Sequence, residues 1–179
     1  MTTTRLWMRP YELVDAEKTF AMFSDPEAMR YVGDGADTMP EETRQRLQRM
    51  INRQAQPGSS LGAVIEALTG ELIGDCGLVY LDGGPEIEAG YRFRQQSWGR
   101  GYTSEAAAAW LAAAFGELAL TDIVAVSRPE NIASRRVLEK IGLKPRGTGH
   151  YYNRWLPVYC LTRQDWQAMQ RADNRRERQ

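Results

Sequence analysis

Gln96-Ser97-Trp98-Gly99-Arg100-Gly101-Tyr102-Thr103-Ser104-Glu105 is the stretch on which the reading of this chain turns. An alternating run from Glu86 to Arg94 leads into it as a strand, and an Ala-rich run from Thr103 to Gly116 leads out as a helix. Two glycines stand where that helix should open. Glycine adopts backbone angles closed to other residues and lets amides approach a ligand. The first turn of a helix carries unpaired N–H groups at the positive end of its dipole. Strand, glycine turn and helix N-terminus together make a cradle for phosphate. The same glycines would equally suit a bare strand-to-helix turn, and this stretch alone does not choose. It is not a P-loop, because no Gly-Lys-Ser/Thr follows. It is not a dinucleotide fingerprint, because Ser104 replaces the third glycine.

Working outward, Ile87, Ala89, Tyr91 and Phe93 share one strand face, and Glu86, Glu88, Gly90 and Arg92 the other. In the helix, Ala107, Trp110, Leu111, Ala114 and Phe115 fall on one side. Ile123 to Val126 is apolar without a break, which suits a central parallel strand covered on both faces. Asn131 can cap a helix from Ile132 to Ile141, with Gly142 just past its end. Arg146 to Tyr152 and Trp155 to Thr162 form a closing hairpin, and Gln164 to Arg171 a last helix. Upstream, Leu6 to Arg9 is a strand ended by Pro10. Asp15 caps a helix to Phe23 with Ala16, Phe20 and Phe23 inward, and Ser24-Asp25-Pro26-Glu27 restarts a short helix. Thr38-Met39-Pro40-Glu41 is a capping box for a helix to Gln54, broken at Gln56-Pro57-Gly58-Ser59-Ser60. Strands at Leu61–Leu68 and Glu71–Asp82 follow. The order predicts one mixed α/β domain over residues 1–172, with a frayed charged tail at 173–179. Its one parallel step is a right-handed crossover through the Ala-rich helix.

The 179 residues, 42% hydrophobic and 26% charged, suit an ordinary globular chain. Lys+Arg and Asp+Glu are equal at 23 each, which argues against nucleic acid as the main partner. Cys76 and Cys160 both sit in apolar runs and read as free buried thiols; with one histidine they leave no metal site to expect. No apolar run is long enough to span a bilayer and the N-terminus has no signal-like core, so no membrane association and a cytoplasmic location are expected.

Gln96-x-x-Gly99-x-Gly101 before an Ala-rich helix resembles the coenzyme-binding motif of the GNAT (Gcn5-related) N-acetyltransferases. Asn131-x-x-Ser134, followed by Glu139-Lys140-Ile141-Gly142-Leu143, resembles that family's next motif. Leu6-Trp7-Met8-Arg9-Pro10, Ser24-Asp25-Pro26-Glu27, Trp98-Gly99-Arg100-Gly101-Tyr102 and Tyr159-Cys160-Leu161-Thr162-Arg163 are similar to the branch that acetylates ribosomal-protein N-termini. The resemblance spans nearly the whole chain. It implies a mostly antiparallel sheet with helices on both faces, splayed at the parallel pair near Arg94 and Ile123, with acetyl-CoA in the resulting V.

Carried over by position, the resemblance assigns pairing with the pantetheine arm to the main chain of Arg92, Phe93 and Arg94. It assigns the pyrophosphate to the amides of Gly99, Arg100, Gly101, Tyr102, Thr103 and Ser104, with Arg100 either adding a charge or facing solvent. Asn131 would reach the coenzyme, cap its helix, or both. Ser134 matches the position that contacts the coenzyme's sulfur, whereas Leu138 stands where many members carry an acidic tyrosine. Glu88 is the candidate base; its alternative is a surface carboxylate paired with Arg92. Asp75 reads as solvent-facing and His150 as structural, while Tyr151, Tyr152 and Trp155 either wall the acceptor pocket or pack the hairpin. The expected function is acetyl transfer from acetyl-CoA to a primary amine, on a protein N-terminus or a small molecule, by direct attack in a ternary complex. A non-catalytic acyl-CoA sensor is the alternative, supported by Leu138, and a nucleotide-binding domain a further one. A homodimer is expected only from the habits of the branch.

Overall fold

The computed structural model describes residues 1–33, 35–54 and 60–176. Seven strands form one sheet: β1 (Leu6–Arg9), β2 (Ser60–Glu66), β3 (Leu72–Tyr80), β4 (Ile87–Phe93), β5 (Asp122–Val126), β6 (Lys144–Tyr151) and β7 (Arg154–Thr162), in the spatial order β1-β2-β3-β4-β5-β7-β6. Five helices accompany it: α1 (Ala16–Phe23), α2 (Pro40–Arg53), α3 (Tyr102–Phe115), α4 (Ile132–Lys140) and α5 (Arg163–Arg176).

All neighbouring strands are antiparallel except β4 and β5. β3 and β4 stay in register from Gly74↔Phe93 to Tyr80↔Ile87, but β4 and β5 pair only at Glu88↔Val124. Beyond that pair the two parallel strands part, so the sheet opens toward their C-terminal ends. The mixed, mostly antiparallel sheet splayed at one parallel step is the fold expected.

Apolar packing lies on both faces. On one, α3 buries Ala106, Ala107, Leu111, Ala114 and Phe115 against the sheet with Ile73, Phe93 and Ile123. The alanines have no bulk to hold the helix away from the strands. On the other, Met22 and Phe23 of α1 and Leu47 of α2 pack with Ala63 and Leu72. Two arginines flank Phe23: the Arg46 guanidinium carbon lies 5.3 Å from its ring centroid and that of Arg92 lies 4.8 Å away.

Several local expectations are corrected. Asp15 does not cap α1 with its side chain; both its oxygens accept from the Arg9 guanidinium, at 2.7 and 2.8 Å. The buried positions of α1 are Ala16, Thr19, Met22 and Phe23, with Phe20 only half-buried. Residues 26–30 form turns rather than a helix. The carboxylate closing the start of α2 is Glu42, accepting from the Thr38 and Met39 amides, not Glu41. The last helix runs through Arg176, beyond the expected start of a frayed tail. The break expected at Gln56–Ser59 lies outside the described residues, as do residues 177–179. Cys76, buried on β3 opposite Tyr91, and Cys160, half-buried on β7, are both free thiols. No helix among the described residues is long and apolar enough to cross a membrane.

Candidate active site

The glycine turn has the geometry its composition dictates. Gly99 (φ +72°) and Gly101 (φ +80°) are left-handed, and Gly101 is the N-cap of α3. Among the described residues, no amide from Gly99 to Ser104 donates to a protein acceptor. A Cβ added at Gly99 would meet nothing within 4 Å, so the turn is open.

The side chains around it are fastened elsewhere. The Tyr102 ring is buried between the guanidiniums of Arg5 and Arg100, at 4.6 and 4.9 Å from its centroid, and its hydroxyl donates to Glu66. The bond from Tyr102, helped by one from Thr69, holds the Glu66 carboxyl below the usual range. Arg100 is exposed to solvent, with its guanidinium also 3.3 Å from Glu66. Glu105, one turn into α3, accepts from Thr3 Oγ1, the Arg5 amide and Arg5 Nε. A cleft of about 540 Å³ starts at Gly101 and Ser104 and continues past Lys140 to Trp166 and Met169 of α5.

Of Arg92, Phe93 and Arg94, Phe93 is the one whose main-chain groups turn away from β3. The Arg94 amide donates to Ile73 at 3.0 Å, so it faces β3. Backbone groups alternate along a strand, which turns the N–H and C=O of Phe93 and Tyr91 toward the opening. The Phe93 carbonyl there accepts from Trp98 Nε1 at 2.8 Å. The Arg92 side chain is bound to Asp75, with Nε 2.9 Å and a terminal nitrogen 2.5 Å from its carboxylate. Asp75 is fully buried, not solvent-facing, and also accepts from Tyr11 at 3.4 Å. The pairing Asp75↔Arg92 across β3 and β4 sets the two charges side by side.

Glu88 is buried where β4 leaves β5. Its Oε2 accepts from the Tyr152 hydroxyl at 2.7 Å and its Oε1 more weakly from the Val126 amide at 3.4 Å. Burial pushes this carboxyl up; the two donors work in the opposite direction. Its partner is therefore Tyr152, and Arg92 belongs to Asp75. Glu86, on the same face, takes Arg146 at 2.5 Å and the Tyr151 hydroxyl at 2.7 Å.

On the other face, Asn131 caps α4 by accepting from the Ser134 amide at 3.1 Å. Ser134 Oγ lies 3.0 Å from the Tyr91 hydroxyl, which also donates to the Ser134 carbonyl at 3.1 Å. Burial pushes the Tyr91 phenol up, so it keeps its proton. Leu138 is buried in the core. Sequence reasoning placed Tyr91 with the apolar residues of its face. The signal available was that a half-buried phenol needs a polar partner, which here the capped helix supplies. His150 is exposed and lies edge-on against Trp155.

An open sheet edge, a buried carboxylate and a left-handed glycine turn with unused amides thus follow one another along β4 and the turn into α3. Residues 5–144 match the family model described as an acetyltransferase (GNAT) domain. The chain belongs to the GNAT acetyltransferase family. It is 33% identical over 162 residues to the uncharacterized protein YkkB of Bacillus subtilis, covering 89% of this chain and 93% of that one. It is 29% identical to the FsC-acetyl coenzyme A-N(2)-transacetylase of Aspergillus fumigatus, covering 98% of this chain and 81% of that one. A GNAT-family acetyltransferase from Bacillus anthracis superposes with a TM-score of 0.78 at 29% identity, over 92% of this chain and 98% of that one. This GNAT protein is accordingly an acetyl-CoA-dependent acetyltransferase, with acetyl-CoA as co-substrate.

Proposed function

We propose that the acceptor is a primary amine, on a protein N-terminus or a small molecule, and that it attacks acetyl-CoA directly within a ternary complex with Glu88 as base. The observation that carries this reading is the buried Glu88 carboxylate at the single β4–β5 pair, beyond which the two strands separate. The unused amides of Gly99–Ser104 support binding of the diphosphate there, since preorganised donors replace water that charged phosphates must give up. The cleft beyond Gly101 and Ser104, with Arg5, Arg100 and Lys140 on its walls, suits the nucleotide end of the coenzyme. The acetylated nitrogen in the name of the Aspergillus relative favours an amine acceptor.

In this scheme the amine nitrogen forms a bond to the thioester carbon and the carbon–sulfur bond breaks. The proton shed by nitrogen passes to Glu88, directly or through water. The Phe93 amide, turned toward the opening, polarises the carbonyl. Ser134, with the Tyr91 phenol 3.0 Å behind it, donates a hydrogen bond to the departing thiolate, which leaves as the anion and takes its proton from water. A thiol with pKa of about 8.5 leaves with little help, which is why Leu138 does not disable the site. An α-amine, with pKa of about 8, asks less of the base than a lysine amine at about 10.4. A non-catalytic sensor gives no reason for burying a carboxylate at the opening.

The test is release of coenzyme A thiol across a panel of small amines and N-terminal peptides. Release with one acceptor class, abolished in Glu88→Gln while acetyl-CoA affinity is kept, supports the reading. Tight coenzyme binding with no release across the panel would instead make the protein a sensor.

A further inference from the structure

The mechanism uses Glu88 but leaves unexplained how two distant turns come to meet above it. One joins β3 to β4 and contains Asp82; the other joins β6 to β7 and contains Tyr152 and Asn153. They are tied reciprocally: the Tyr152 amide donates to Asp82 Oδ2 at 2.8 Å, and the Asp82 amide donates to the Tyr152 phenol oxygen at 3.3 Å. The phenol's one proton goes to Glu88 Oε2 at 2.7 Å. Both turns use left-handed backbone, which Asp and Asn tolerate and tyrosine does not readily adopt. Asp82 (φ +48°), Tyr152 (φ +51°) and Asn153 (φ +57°) are left-handed without being glycine. For tyrosine in particular that geometry is uncommon and persists where surrounding contacts over-determine it.

We propose that Tyr152 is the positioning residue of Glu88, and that its latch to Asp82 clamps the β6–β7 turn over the β3–β4 turn so that the carboxylate stays aimed at the sheet opening. The proposal rests on Glu88 being the base. It adds that orientation and charge of that base are set by the turn that also borders the acceptor's approach. The surroundings of Glu88 leave few other groups to do this. Its β3 neighbour is Val79, and its β5 neighbours are Val124 and the Val126 amide. Glu86 is occupied by Arg146 and Tyr151, and Tyr91 points to the opposite face, toward Ser134. Asp82 is the remaining nearby charge, and it opposes ionisation of Glu88.

A phenol donating to a carboxylate favours the charged form, so removing it raises the pKa. The base acts when deprotonated, so the acid limb of the rate profile should then move to higher pH. In Tyr152→Phe, carbon-13 NMR titration of the Glu88 carboxyl should show its midpoint rise by about one pH unit, the size expected for losing one charged hydrogen bond. The acid limb of kcat/KM should rise by the same amount, with KM for acetyl-CoA unchanged. A second pair isolates the latch from the charge of Asp82. Asp82→Asn keeps an acceptor for the Tyr152 amide; Asp82→Gly removes it while suiting the left-handed backbone. The glycine variant should have the higher Glu88 midpoint of the two. A midpoint unmoved in Tyr152→Phe, or equal in the Asp82 pair, would overturn the proposal at the latch. A midpoint that moves while Glu88→Gln keeps its activity and acid limb would overturn it at its premise, by removing the base.

Discussion

On the side of the opening proposed for the coenzyme, the groups available to a ligand are main-chain amides at the start of α3, presented by two left-handed glycines. On the side proposed for the acceptor they are side chains: Glu88, Tyr152 and Asp82, brought together across 64 to 70 positions of sequence. The first is a local device, complete within one turn, whose donors suit a diphosphate by geometry. The second exists only once the sheet is assembled, and its charges depend on partners contributed by other strands. The difference teaches where each half can fail. The coenzyme side is vulnerable to backbone shape and the acceptor side to charge balance.

The largest effect should come from unbalancing that charge. Arg92→Leu leaves Asp75 buried without its guanidinium and should cost about 3–5 kcal/mol of stability, read by urea unfolding. A loss below 1 kcal/mol would mean that Tyr11 alone satisfies the carboxylate. Next is Glu88→Gln, expected to lower kcat about 100-fold, or roughly 2.7 kcal/mol, with acetyl-CoA affinity intact. Loss of affinity in that variant would erase the division between the two sides. On the coenzyme side, Gly101→Ala forces a Cβ onto φ +80°. It should weaken acetyl-CoA binding by roughly tenfold, from about 1–2 kcal/mol of backbone strain, in calorimetry, without changing the pH profile. The smallest effect is expected for Glu105→Gln. It keeps acceptors for the Arg5 amide and removes only a partly exposed ion pair, about 0.5 kcal/mol in thermal unfolding.

The same division explains what was legible in the sequence. Gly99 and Gly101, the alanines of α3 and the Asn131 cap act within a few residues, so spacing alone located them. Alternation assigned Glu88 and Arg92 correctly to one face of β4, because period two needs no knowledge of neighbours. It went wrong at Asp75, because alternation says which side a residue faces and not what covers that side; here Tyr11 and Arg92 meet its carboxylate. Asp15 looked like a helix cap because the position fits, yet Arg9 offers it two charged donors. Alternation put Tyr91 on the face of Ile87, Ala89 and Phe93 but gave no sign that its hydroxyl lands on Ser134. Nothing in the chain order announces that Tyr152 meets Asp82 and Glu88. That contact follows from the β6–β7 hairpin folding back beside β5, a consequence of topology.

Cys76 lies opposite Tyr91 inside the sheet, where burial pushes its thiol up, and Cys160 is shifted the same way for the same reason. Thiolate is the form that reacts with disulfide and maleimide reagents, and neither cysteine offers it readily near neutral pH. Each turnover liberates a mobile sulfhydryl from the co-substrate. A colorimetric sulfhydryl reagent added to the native enzyme should therefore register catalytic cycles with almost no contribution from the polypeptide, and a delayed rise in its signal would report the sheet coming apart.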